Sequence, residues 1–224
     1  MPIYNAPLLD IDPQETRRYA GLHQADFDAH MIEEACMEAR LLAKPQGIWT
    51  IYDYDTETQT VQAEIPFHIK GKQIAKHLAL AEKVILLAAT VGDEIETMVT
   101  KHFEEGHYAF SVLLDAAATT AVEQIADAME KTIQPRAAAK GYSMRWRFSP
   151  GYGDWPIEQQ PEMLRLSHAA AIGIHLTTSM MLVPRKSITA IIGLSQKPEC
   201  TRDEQHHCAL CARIDCPARN TEKH

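Results

Sequence analysis

An α+β fold, with a twisted, mainly antiparallel sheet flanked by helices, is what the order of hydrophobic patterns predicts. Two runs rich in Ile, Val, Thr and aromatics, residues 47–54 and 60–69, stand on either side of the polar Asp53-Tyr54-Asp55-Thr56-Glu57-Thr58, which predicts an antiparallel pair. The apolar run Lys83-Val84-Ile85-Leu86-Leu87-Ala88-Ala89-Thr90 has strand length and is closed by Val91-Gly92-Asp93, which suits a central strand. Residues 107–139 carry the longest helical pattern, with Leu113, Ala117, Ala121, Ile125 and Met129 as an apolar stripe. A hairpin ahead of the later helices points to α+β.

The chain in order supplies the other elements. Residues 2–13 read as an extended segment lying across the domain. Over 26–44, Phe27, Met31, Ile32, Ala35, Cys36, Ala39 and Leu42 recur at helical spacing while Glu33, Glu34, Glu38 and Arg40 fall elsewhere. That helix ends before Pro45-Gln46-Gly47, and Cys36 is a core thiol. Residues 73–82 form a short helix bearing His77, and Asp93 and Glu94 open another helix, where acids favour the dipole and act as caps. On the long helix, Ala116 to Thr120 are small enough to admit a close neighbour, and Asp115 and Glu123, eight residues apart, share one broad face and could border a pocket. A surface carboxylate is the plain alternative for Glu123. After Gly141 come a strand at 145–148, a helix at 158–167 and strands at 170–178 and 187–194. Arg185-Lys186, between the last two, is either solvated or faces an acidic partner.

Composition bounds the function. The 224 residues are 46% hydrophobic and 23% charged, enough to bury a sizeable core. A net charge of -8, with no basic run longer than a pair, argues against a nucleic-acid partner. No leader-like start and no window of membrane-helix length appear, so no membrane is expected and the cytoplasm is the expected compartment. The chain divides into residues 1–196, the α+β domain, and 197–224, a tail of different character. That tail holds four of the five cysteines, Cys200, Cys208, Cys211 and Cys216, with His206 and His207 beside them. Four thiolates can close around zinc or hold an iron–sulfur cluster, and the spacing is neither the bacterial ferredoxin run nor a standard zinc-finger pair. Free thiols are the alternative.

The stretch with most chemical character is Arg145-Trp146-Arg147-Phe148-Ser149-Pro150-Gly151-Tyr152-Gly153-Asp154-Trp155-Pro156. Arginines alternating with aromatics read as a strand with one polar and one apolar face. Ser149 before a proline is pushed to extended geometry, Pro150 fixes its own φ, and Gly151 can take the positive φ of a type II turn. Arg147, Tyr152 and Asp154 would supply a carboxylate clamp, a phenol and an anion, a set suited to a small zwitterion. A proline-glycine turn with a surface tyrosine and a solvated arginine is the alternative.

These residues resemble a known family. Arg147-Phe148-Ser149-Pro150-Gly151-Tyr152, followed by Pro156, is similar to the Arg-x-x-x-Gly-Tyr signature of the activation domain of cobalamin-dependent methionine synthase. Met180 and Met181 with Pro184-Arg185-Lys186-Ser187-Ile188-Thr189-Ala190 resemble that family's later Met-x-Pro-x-x-Ser-Val-Ser-Gly segment, and the match is closest to its short, free-standing relatives. The resemblance implies an S-adenosylmethionine site formed by Arg147, Phe148, Ser149, Pro150, Gly151 and Tyr152, with Arg147 on the ligand carboxylate. It puts Tyr152, the candidate catalytic residue, near the arriving corrin, and Glu123 at an acidic position on the corresponding helix. The chain departs from the large enzymes at Gly153-Asp154-Trp155-Pro156, where they have Pro-Ala-Cys-Pro, and at Ile191 and Ile192, where they have aromatics. Asp10, Asp26 and Asp28 are not assigned to that family's N-terminal ligand-contacting aspartate.

No cobalamin-binding Asp-x-His-x-x-Gly motif is present, so the resemblance implies a cobalamin supplied by a partner. The expected partners are a cobalamin-binding methionine synthase or other corrinoid protein and a low-potential electron donor. The expected activity is support of reductive methylation of cob(II)alamin on that partner, as a component of methionine synthase reactivation. In that setting an iron–sulfur cluster in the tail could deliver the electron, which zinc on the same cysteines could not. A metal-cluster carrier or docking subunit without S-adenosylmethionine binding is the other reading. An ordinary methyltransferase fits poorly, since no Gly-x-Gly loop follows an early strand.

Overall fold

Seven of the eight residues of the run at 83–90 are buried, as a strand covered on both faces requires. The structure is a computed structural model that describes residues 3–5, 8–22 and 27–196. The tail with Cys200, Cys208, Cys211 and Cys216, and so the expected metal site, lies outside the described residues.

In chain order the elements are α1 (Pro13–Tyr19), α2 (Ala29–Leu42), β1 (Gln46–Asp55), β2 (Thr60–Gln62), β3 (Phe67–His68), α3 (Lys72–His77) and β4 (Lys83–Thr90). There follow α4 (Glu94–Glu104), α5 (Tyr108–Ala138), β5 (Ser143–Met144), α6 (Gln160–Ser167), β6 (His175–Leu176), β7 (Leu182–Val183) and β8 (Ser187–Ser195). Six strands form one antiparallel sheet in the order β3-β2-β1-β4-β8-β5, and β6 and β7 pair separately. The expected α+β class and antiparallel sheet are observed.

Alternation along the central strands sorts two cores. Ile85, Leu87 and Ala89 of β4, with Ala190, Ile192 and Leu194 of β8, pack with Ile32, Ala35 and Cys36 of α2 and the stripe Leu113, Ala117, Ala121, Ile125 and Met129 of α5. Val84, Leu86 and Ile191 pack with Ile74 and Leu78, Met163 and Leu166 of α6, and Trp155. Gly47 lies where α5 crosses β1, and a Cβ there would collide with the Met129 sulfur. Tyr4 takes the edge of β1 at Gly47 through paired backbone bonds of 2.7 and 2.8 Å, so the N-terminal segment does lie across the domain.

Three expectations need correction, and one helix had no counterpart among them. Residues 13–19 form α1, begun by Asp12 accepting from the Gln14 and Glu15 N–H groups and by Pro13 at the first turn. The 60–69 run is two short strands, β2 and β3. Residues 169–172 are a 3-10 turn ended by Gly173 at φ 76°, not the start of a strand, because an alanine run offers no β-branched side chains to pack. Asp93 makes no side-chain cap bond; Glu94 instead pairs with Lys44, and Glu96 accepts from the Lys186 N–H.

Candidate functional site

Beyond β5 the chain runs along the edge of β8. The Arg145 N–H donates to the Gly193 carbonyl, and Phe148 and Ile191 exchange bonds of 3.0 and 2.8 Å. Only Ser143 and Met144 pair as a regular strand, so the expected strand at 145–148 is an extended edge pinned at its two ends. Its arginines serve different neighbours. Arg145 donates to the His77 carbonyl, while Trp146 and Phe148 pack on the His77 ring with centroids 4.7 and 5.3 Å away.

Arg147 turns to α5. Its Nη1 donates to Glu130 at 2.5 Å and Asp127 at 2.7 Å, and its Nη2 to Glu123 at 3.0 Å. Positions 123, 127 and 130 are spaced i, i+4, i+7 and therefore form one stripe of the helix. Arg147 is 17% exposed, against 26% for Glu130, 35% for Glu123 and 56% for Asp127. Burial opposes its charge, but Glu130, Asp127 and Glu123 outweigh that and hold the guanidinium above its ordinary value. For Glu130, burial prevails and raises the carboxyl, against Arg147, which lowers it; Asp127 and Glu123 add to the rise. Three carboxylates face one guanidinium, so the stripe is electronegative. Nearby on α1, burial and then Glu123 raise the Tyr19 phenol, and Arg18 lies 4.1 Å from the Tyr19 ring centroid.

The loop after Arg147 is closed by its own backbone. The Tyr152 N–H donates to the Ser149 carbonyl across Pro150 and Gly151, and Gly151 has φ 89°, the type II turn expected. Gly151 N–H donates to the Trp155 carbonyl, and Trp155 N–H to that of Tyr152. Trp155 is buried and donates through its indole to Gln159, which in turn donates to the His68 carbonyl. The tip is thereby fixed from below, with Gly151, Gly153 and Tyr152 exposed. Phe148 packs inward, and Pro150 is buried.

Asp154 is engaged by a helix terminus. Its carboxylate accepts from the Lys72 and Gln73 N–H groups at 2.7 and 2.9 Å, capping α3, whose own N-cap, Gly71, has no side chain to do so. Those backbone bonds, that of Gln73 first, lower its carboxyl. Lys186 is not solvated: it pairs with Asp115 at 2.8 Å and donates to Thr119 at 2.9 Å. Both stretches singled out from the sequence thus rest on α5, one through Asp115 and the other through Glu123. Asp127 and Glu130 were not singled out from the sequence; their spacing from Glu123 was the available signal.

With this sheet and its helices the chain has the fold of a methionine synthase reactivation domain. Among solved structures it is similar to the MetH reactivation domain bound to AdoHcy, with 12% sequence identity and a TM-score of 0.57, over 90% of this chain and 81% of that one. At that identity the likeness is one of fold. No protein-family profile and no curated protein matches the sequence. Among the described residues no helix is long and apolar enough to cross a membrane.

Proposed function

We propose that this chain binds S-adenosylmethionine at the Arg147 loop and presents it to a cobalamin carried by a separate methionine synthase or related corrinoid protein, supporting its reductive methylation. The observation that carries this reading is the electronegative stripe under a single guanidinium, beside a rigid glycine turn. S-adenosylmethionine has one carboxylate and two cations, an ammonium and a sulfonium. On binding, Arg147 would exchange part of its pairing with the α5 carboxylates for a charge-assisted hydrogen bond to the ligand carboxylate, which frees Glu123 and its neighbours for the cationic groups. Backbone from Phe148 to Gly151 would line the ligand, where Gly151 has no Cβ in the way. The AdoHcy of the similar domain is the product left when such a ligand gives up its methyl group.

In this reading one electron from a low-potential donor would reduce the partner's cobalt, the reduced cobalt would supply the pair for the new bond to the methyl group, and the old bonding pair would stay on sulfur. The cobalamin supplies the methyl-accepting metal. Tyr152, 58% exposed at the loop tip, would meet the corrin face. Cys200, Cys208, Cys211 and Cys216 belong to the same proposal as a site for an iron–sulfur cluster or zinc.

The test is methyl transfer. A corrinoid protein with oxidised cobalt, a low-potential reductant and methyl-labelled S-adenosylmethionine are incubated with and without the chain. Label reaching the corrinoid only when the chain is present supports the reading; equal labelling without it overturns the reading.

A further inference from the structure

A second group of ligating side chains sits at the corner between α4 and α5, built on other residues than the Arg147 site. Helix α4 ends in a double-bonded reversal: Gly106 at φ 85° donates to the Phe103 carbonyl, and His107 donates to that of His102. That reversal is rigid and brings two imidazoles together. His102 Nδ1 and His107 Nδ1 are 3.5 Å apart, and Glu105 Oε2 lies 3.7 Å from His107 Nδ1. One ligand atom from each of His102, Glu105 and His107 lies within 4.8 Å of the others.

We propose that His102, Glu105 and His107 bind a divalent d-block cation, zinc by preference. A separation of 3.5 Å is long for a nitrogen–nitrogen hydrogen bond. It is close to the edge of a zinc tetrahedron, since Zn–N bonds of about 2.0–2.1 Å place two ligands about 3.3–3.4 Å apart. The opposite nitrogen of His102 is engaged as metal-bound histidines usually are: Nε2 lies 3.0 Å from Glu38 Oε1 on α2. With the Nε2 proton donated to that carboxylate, Nδ1 presents its lone pair to the shared point. The His102 ring also packs edge-on against Phe110 at 4.8 Å, which fixes its plane. Two histidines and one carboxylate suit zinc and leave a fourth position for water or another ligand. That position adjoins a groove of roughly 710 Å³ lined in part by Met31, Met37, Leu41 and Tyr108.

The experiment keeps the full chain but replaces Cys200, Cys208, Cys211 and Cys216 by serine, so that tail thiolates contribute nothing. Cobalt(II) is titrated as the spectroscopic probe, with zinc as competitor. The expected result is one saturable equivalent with visible d–d bands and no thiolate charge-transfer band. His107→Ala, at an exposed side chain outside the core, should weaken binding by more than the ~10–100-fold typical of an outer-shell partner, with the far-ultraviolet dichroism unchanged. Glu38→Gln should weaken it by about 10–100-fold and shift the bands, as a residue that positions His102 does. No saturable binding in the chain without the four tail cysteines, or binding unaltered by His107→Ala, overturns the assignment.

Discussion

Arg147→Met keeps most of the side-chain length, and with it the stem packing, and removes the guanidinium. Glu123, Asp127 and Glu130 then face one another without a counter-charge. A hydrogen bond to a charged group contributes about 1.5–3 kcal/mol where it is shielded, the case for Glu130 at 26% exposure. An exposed pair contributes about 0.2–1 kcal/mol, the case for Asp127 at 56%, with Glu123 between the two. The substitution should therefore destabilise the fold by about 2–4 kcal/mol at neutral pH. At about 2–4 °C per kcal/mol for a chain of this size, Tm falls by about 4–16 °C. Thermal unfolding followed by circular dichroism reads it, at pH about 7 and again at pH about 4, where Glu130, whose carboxyl burial holds above its ordinary value, takes up a proton and ceases to be an ionic partner of Arg147. A Tm within about 1 °C of the parent at neutral pH, or a deficit equal at both pH values, would refute the reasoning.

Other outcomes follow from the same geometry. S-adenosylmethionine affinity should rise with pH above about 4.5 as Glu130, whose carboxyl is held above that ordinary value, ionises to meet the ligand cation; calorimetry across pH should show proton release on binding. Asp154→Asn should loosen the 149–155 loop and lower Tm. Because the Asp154 carboxyl is depressed in the fold, its stabilisation is present above its ordinary value of 3.8 and lost as pH falls below it, so parent and variant should converge in acid. Gly47→Ala should cost about 1–3 kcal/mol in urea unfolding, since Met129 is buried and must move to admit the methyl group.

Where a pattern has a single physical cause, the sequence was readable. The run from Lys83 to Thr90 is β4 residue for residue, because continuous apolar character at strand length has few other uses. The apolar stripe of α5 is buried as its periodicity requires, and Pro150-Gly151 makes the turn that those two residues favour. What was not legible depends on distant partners. Asp154 looked like a ligand-facing anion and is a helix cap, because the helix it caps begins at Lys72. Lys186 was open between solvent and an acidic partner, and it is paired within the chain with Asp115 across the fold. Helix α1 buries only Thr16, so it shows no hydrophobic period, and its signal lay in Asp12 and Pro13. Asp127 and Glu130 gain meaning only once Arg147 is brought over α5.

Calorimetric titration of S-adenosylmethionine into anaerobically purified full-length chain, alongside Arg147→Ala, tests the central claim most directly. The account predicts saturable binding at one site, weakened by about 1.5–3 kcal/mol in the variant. Absence of binding by folded protein, or equal affinity in parent and variant, would contradict it.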